Sequence, residues 1–373
     1  MSSGSKEWTS RRTGREKISL LVFIHGYILY HLWDFIYLDY FQKSSMTGRR
    51  ERQEAFLKKF DLGDLDDQMV KVAEEHFTEL EVKEDLIEDA DRVHIDAWRE
   101  IGACRFALSV ISNGYRVPFT SFPSRYKEKN NKSFRDNEKG GVDQVLVLLK
   151  QKRIMEVDQA DVLCCNPLSV AVNAKGKKRL VIDLSRHVNL VVDKKTFKIE
   201  STESALDIIE KGSWSVSFDI RGAYHHVKLA EDQWKYFGFC CFIEGRLRYF
   251  WFMSMPFGLS SAAYALTKLL KSVLARWRTM GFLVWIHIDD GLVVMKSRGE
   301  AETASKIVQK DLKRLGIIVS DEKCVWKPCQ QQVWTGLLFD LEEFKVFVTE
   351  DKISRAKGKL LEMKGKDIKF IPI

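Results

Sequence analysis

Absent from this chain are any CxxC pair, any internal repeat or low-complexity tract, and any uncharged run long enough to span a bilayer. The missing CxxC matters because seven cysteines are present: Cys104, Cys164, Cys165, Cys240, Cys241, Cys324 and Cys329. An odd count with two adjacent pairs suits neither a disulfide framework nor a zinc site. It points to reduced, partly buried thiols in a cytoplasmic or nuclear protein. The longest apolar stretch, residues 18–41 (ISLLVFIHGYILYHLWDFIYLDYF), is uncharged for only 16 residues, from Ile18 to Trp33. A spanning helix needs about 20. His25, His31, Asp34 and Asp39 argue against a lipid-facing helix, and no small-residue cleavage site follows. A membrane is therefore not the expected partner.

What is present is enough chain, 373 residues, to bury a core in two or three subdomains. Lys plus Arg outnumber Asp plus Glu by 60 to 52, a net charge of +8 that permits a polyanionic partner without requiring one. Residues 42–105 place apolar side chains three and four apart between charges, the pattern of solvated amphipathic helices. Residues 113–139 are loop-like, rich in Gly, Pro and charge. A helix is expected over 141–152, and then the pattern turns to strands. LSVAVN, AKGKK and RLVIDL predict a hairpin with a basic tip, and WSVSFDI a strand ending in an acid after a short helix at ALDIIEK. FGFCCFIEGRLRYFWF predicts a hairpin turning at Glu244-Gly245, and residues 260–280 a long helix stopped by Gly281. FLVWIHI and LVVMK are strands, AETASKIVQKDLKRL a helix ended by Gly316, and VWTGLLFDLEEFKVFV another hairpin. The fold class is α+β.

Residues 284–294, VWIHIDDGLVV, put two adjacent carboxylates between apolar strands. Turn chemistry alone accounts for Asp-Asp-Gly. The reading changes with Asp219, which ends the strand SVSFD 70 residues upstream of Asp289. Were the two strands neighbours, three carboxylates would converge and repel unless a cation neutralised them. Carboxylate oxygens select Mg²⁺, or Mn²⁺ in its place, and a pair of such ions serves in-line phosphoryl transfer. A basic tip (Lys175, Lys177, Lys178, Arg179), the turn MPFG and the aromatics Tyr224 and Phe257 complete what a nucleotide site requires. His225 and His226, read as neighbours on a strand, are expected to be one buried and one exposed, and Cys240 and Cys241 to be packing residues.

Taken in order, these segments resemble the polymerase domain of retrotransposon reverse transcriptases, over most of residues 95–352. CNPLSVAVNAKGKKRLVIDLSRHVN is similar to the fingers hairpin and WSVSFDIRGAYHHVKLAEDQWKYFGF to the first catalytic palm motif. FMSMPFGLSSAAYALTKLL resembles the template- and nucleotide-contacting motif, and HIDDGLVV the motif with two aspartates. LKRLGIIVSDEKC and VWTGLLFDLEEFKVFVTEDK are similar to the next two, the latter a primer-gripping hairpin. The wording is nearest to DIRS-type (tyrosine-recombinase) elements, with long-terminal-repeat elements as the alternative.

The resemblance implies a right-hand fold of fingers and palm, with an antiparallel palm sheet backed by helices and a truncated thumb. It divides the chain into an N-terminal extension (1–94), fingers and palm (95–350) and a thumb or connection stub (351–373). It implies RNA-directed DNA polymerase activity on a primed RNA or DNA template with deoxynucleoside triphosphates and two Mg²⁺. Asp219, Asp289 and Asp290 with the Ile220 carbonyl would hold metal, and Lys323 would protonate the departing pyrophosphate. Lys175 or Lys177, with Arg179, would meet the triphosphate, Tyr224 would act as the steric gate, and Phe257 and Gly258 would line the nucleotide and template side. Departures are His287 in place of Tyr or Phe, Ala263 in place of Pro, and WTGL in place of a Leu-Gly pairing. A catalytically silent nucleic-acid-binding protein on the same fold is the alternative.

Overall fold

The computed structural model describes residues 95–364 apart from 173–175 and 177. The N-terminal extension with its apolar segment 18–41, and the hairpin-tip residues Lys175 and Lys177, lie outside the described residues.

Two short helices, α1 (Ile95–Glu100) and α2 (Arg105–Asn113), open the described chain and precede β1 (Tyr126–Lys127). Helices α3 (Lys132–Arg135) and α4 (Glu138–Lys150) come next, the latter near the expected bounds. Strands β2 (Ile154–Val157) and β3 (Cys164–Cys165) are followed by the hairpin of β4 (Leu168–Val172) and β5 (Lys178–Ile182). Helix α5 (Thr202–Leu206) starts three residues before its expected position. Its Ser201 cap side chain accepts from the Ser204 backbone N–H, a start signal stronger than the apolar spacing of ALDIIEK. Strand β6 (Trp214–Asp219) leads to β7 (Gly238–Ile243) and β8 (Arg246–Phe252). These two turn at Glu244-Gly245, where both φ angles are positive (52° and 75°).

The long helix α6 (Ala262–Thr279) precedes β9 (Leu283–His287) and β10 (Asp290–Met295). Helix α7 (Arg298–Arg314) starts at a capping box in which Ser297 and Glu300 satisfy each other's backbone N–H. The C-terminal segment is not one hairpin but a meander after β11 (Val325–Cys329). Strands β12 (Gln331–Trp334), β13 (Leu337–Asp340) and β14 (Lys345–Val348) pair in sequence, and α8 (Glu350–Lys364) follows. The positive φ of Thr335 and Gly336 breaks VWTGLLF into two strands.

The central sheet is antiparallel throughout, in the order β11-β6-β10-β9. Along β9, Val284 and Ile286 join the main core, while Leu283 and Trp285 join a second cluster with Trp334, Leu337 and Phe339. Strand β10 alternates likewise, Val293 to one side and Leu292 and Val294 to the other. Helices α6 and α7 contribute to the main core (Leu266, Val273, Trp277, Val308, Leu312), and the β12–β14 sheet lies on the opposite face. Burial on both faces is why VWIHIDDGLVV is almost continuously apolar rather than alternating. Trp277 and Trp285 are, with Trp98, the largest fully buried aromatic anchors among the described residues; truncating either to alanine would cost about 3–5 kcal/mol. A mixed five-stranded sheet, β1-β3-β7-β8-β2, and the β4–β5 hairpin lie outside this central sheet. Cys240 and Cys241 are both buried on β7, as expected. No helix among the described residues is long and apolar enough to cross a membrane.

Candidate active site

Antiparallel pairing of β6 with β10 places Asp290 directly opposite Asp219, and the Ile220 N–H donates to the Asp289 carbonyl at 2.8 Å. The three acids expected from sequence are thus brought to one end of the central sheet. The turn between β9 and β10 is two residues, Ile288-Asp289, and Ile288 carries the positive φ (59°). A β-branched residue there is strained, at a cost of about 1–3 kcal/mol. Gly291 is therefore not the turn residue that Asp-Asp-Gly suggests. It lies within β10 opposite Phe218, where a Cβ would come within 2.1 Å of the Phe218 ring. Its lack of a side chain lets β6 and β10 close over that ring.

Crowding shows in the electrostatics. Burial, and then the charge of Asp219, hold Asp289 above the ordinary carboxylate range. Burial, Asp289 and Asp219 together push Asp290 up to about 6. Lys323 meets them directly: its Nζ donates to both Asp219 carboxylate oxygens at 2.8 Å. Burial would lower that ammonium, but the hydrogen bond to Asp219 and the three nearby carboxylates outweigh it and hold it raised. Lys323 reaches the acids because the segment after α7 runs beside β6. Val319 bridges to Ile220, and the Ser320 N–H donates to the Asp219 carbonyl at 2.8 Å.

A cleft of about 270 Å³ opens over this cluster, lined by Asp219, Ile220, Asp289 and Lys323 together with Arg179, Tyr224 and Phe257. The Tyr224 ring meets Phe257 edge-on at 5.3 Å, and burial followed by the Asp289 charge raises its phenol. The Arg179 guanidinium lies 4.7 Å from the Phe257 ring centroid, a cation–π contact that aims a cation from the β4–β5 hairpin over the cleft.

Gly258 is not among the residues lining the cleft. A Cβ there would stand 2.1 Å from the Ile182 carbonyl oxygen, and its φ is 116°. Its freedom serves the junction with β5, where the Ile182 N–H donates to the Phe257 carbonyl at 3.2 Å. Arg221 and Glu322, which pair at 3.4 Å, and Ser320 also line the cleft. Sequence reasoning missed all three; Arg221 and Glu322 had a signal in their adjacency to Ile220 and Lys323.

His225 and His226 correct the strand reading. They sit in a 3-10 turn, Ala223–His226, and both are half-buried rather than one in and one out. Burial, then the Arg153 charge, lowers both to about 4. His287 ends β9 with its Nδ1 2.8 Å from the Glu200 carbonyl oxygen.

Among the described residues no three His, Cys, Asp or Glu side chains stand ready as a metal cage. The donor chemistry nonetheless fits a hard divalent cation: three carboxylates, two of them held above their ordinary range by burial and then by one another's charge, with an ammonium as counter-ion.

Comparison with known proteins adds one finding. No curated protein matches the chain. Residues 167–339, which run from the β4–β5 hairpin into β13 and contain every described site residue named above, match a family model described as reverse transcriptase (RNA-dependent DNA polymerase).

Proposed function

We propose that this protein is an RNA-directed DNA polymerase of retrotransposon origin, extending a primer 3′-hydroxyl with deoxynucleoside triphosphates on an RNA or DNA template. The observation that carries this reading is the cross-strand pairing of Asp219 with Asp290, next to a cleft that Asp219 and Asp289 line together with Arg179, Tyr224, Phe257 and Lys323. Asp219, Asp289 and Asp290, with the Ile220 carbonyl, would hold two Mg²⁺ ions, or Mn²⁺ in their place. Bound there, the metal supplies charge neutralisation and lowers the pKa of the attacking hydroxyl.

The chain's own residues do the rest. Arg179, with Lys175 or Lys177, draws the triphosphate against the hairpin. Phe257 and Tyr224 flank the sugar and base, and Tyr224 bars a ribose 2′-hydroxyl. As the primer hydroxyl loses its proton to solvent, its oxygen bonds to the α-phosphorus and the bond to pyrophosphate breaks, Lys323 gives its own proton to the departing oxygen. It must first exchange its hold on Asp219 for the phosphate. Positioning and charge neutralisation make up nearly all of this chemistry.

The alternative is a catalytically silent nucleic-acid-binding protein, favoured by one observation: Lys323 occupies both oxygens of Asp219 and satisfies that carboxylate without metal. Primer extension on poly(rA)/oligo(dT) with Mg²⁺ or Mn²⁺ separates the two. Extension by the wild type, reduced at least about 10²–10³-fold in Asp289→Asn, is the expected result. Salt-sensitive template binding without extension at high Mn²⁺ would select the alternative.

A further inference from the structure

His226 is an imidazole near the cleft that the polymerase reading leaves without a role. Its Nε2 accepts the Ile318 N–H at 2.9 Å, so the hydrogen of the neutral ring resides on Nδ1. That Nδ1 is buried without a hydrogen bond of ordinary geometry, and the other polar groups at the ring are the Ala223 and Gly222 backbones of its own turn. The ring adjoins a cavity of about 20 Å³ bordered by Ile220, Ala223, Gly316 and Ile317. Burial and the Arg153 charge keep its pKa near 4, so the acceptor nitrogen stays free of a proton at neutral pH.

Ile318 belongs to the segment that delivers Lys323. Its carbonyl accepts the Arg221 N–H at 2.9 Å, its neighbour Val319 bridges to Ile220, and Ser320 donates to the Asp219 carbonyl. Ser320 in turn accepts the Lys323 N–H at 2.8 Å, closing the 3-10 turn Asp321–Lys323 that aims the ammonium at Asp219. The two backbone bonds that make the Ile220–Val319 bridge are a short ladder, and such pairing slips in register easily without a further tie. The His226 ring supplies that tie from the far side of the Ala223 turn.

We infer that His226 is a positioning residue which, through the Ile318 N–H, fixes the register of residues 317–320 against β6 and thereby the place of the Lys323 ammonium. The inference rests on the polymerase reading for its catalytic consequence, but its structural content stands independently. His226 touches no substrate and acts only through this segment.

Two measurements on the full chain test it. In hydrogen exchange, His226→Phe should speed exchange across residues 316–324 by about tenfold or more, with β9–β10 protection unchanged as the control for folding. His226→Gln, whose amide oxygen accepts the same N–H, should restore protection. In primer extension, His226→Phe should lower kcat about tenfold with KM for the nucleotide unchanged, and the effect should vanish in a Lys323→Ala background. Unchanged exchange at 316–324, or losses that multiply in the double variant, would overturn the inference. Absence of extension by the wild type would overturn the polymerase reading alone and leave the exchange result to decide the role of His226.

Discussion

Two hairpins of similar length bring opposite charges to the cleft, and they are held in opposite ways. The acidic one, β9–β10, is packed on both faces, its side chains divided between two hydrophobic clusters. The basic one, β4–β5, buries Leu168, Val170, Leu180 and Ile182, while Val172, Lys178 and Arg179 are exposed. Carboxylates that must keep fixed separations despite mutual repulsion belong on the doubly buried scaffold, whose packing opposes that repulsion. A cation that must meet an arriving polyanion can sit on a hairpin with one free face. Rigidity is spent where like charges crowd.

Three substitutions would break or sharpen this contrast. The largest effect is expected of Gly291→Ala, which would push a methyl group into the Phe218 ring and cost about 1–3 kcal/mol. Denaturant unfolding measures it, and a midpoint equal to wild type would mean that the two-sided packing is looser than described. Next, Arg179→Ala should raise KM for the nucleotide about tenfold, the worth of one charged hydrogen bond, while stability stays within about 0.5 kcal/mol. Steady-state kinetics beside a melting curve check both halves, and a drop in stability of the same size would erase the distinction between the hairpins.

The smallest effect concerns repulsion itself. Asp290 is held at about 6, above an ordinary carboxylate. The folded state therefore holds its proton more tightly, and stability from this group falls as pH rises from about 4 through 6. Without metal, Asp290→Asn should thus stabilise the protein at pH 7.5 by about 1 kcal/mol, a figure already reduced for partial solvent screening. The gain should disappear near pH 4. Melting curves of both proteins in chelator at the two pH values give the comparison, and an equal difference at both would remove repulsion as the cause.

Much of this was legible in the sequence because the signals are local. Glu244-Gly245 fixes one hairpin, and Asp219, Asp289 and Asp290 were named from the ends of apolar strands. What escaped depends on distant partners. Gly291 and Gly258 look alike as turn residues, yet one is required by the Phe218 ring and the other by the Ile182 carbonyl, neither visible in a local window. His225 and His226 were misread because a strand was assumed where the chain makes a 3-10 turn. The Ser297–Glu300 capping box was readable and would have set the start of α7 at its observed residue. The grip of Lys323 on Asp219 arises from a bridge between Ile220 and Val319, 99 positions apart; only the resemblance, not spacing or periodicity, pointed to that lysine.

The sandwiching of β9–β10 between two clusters has a consequence for how the molecule fails. Amides at Leu292, Val293 and Val294 are covered from both sides, so the frame beneath the acids opens only when the whole domain does. Heating should then abolish the acidic site and the fold in one step, without a loosened species that still gathers its three carboxylates.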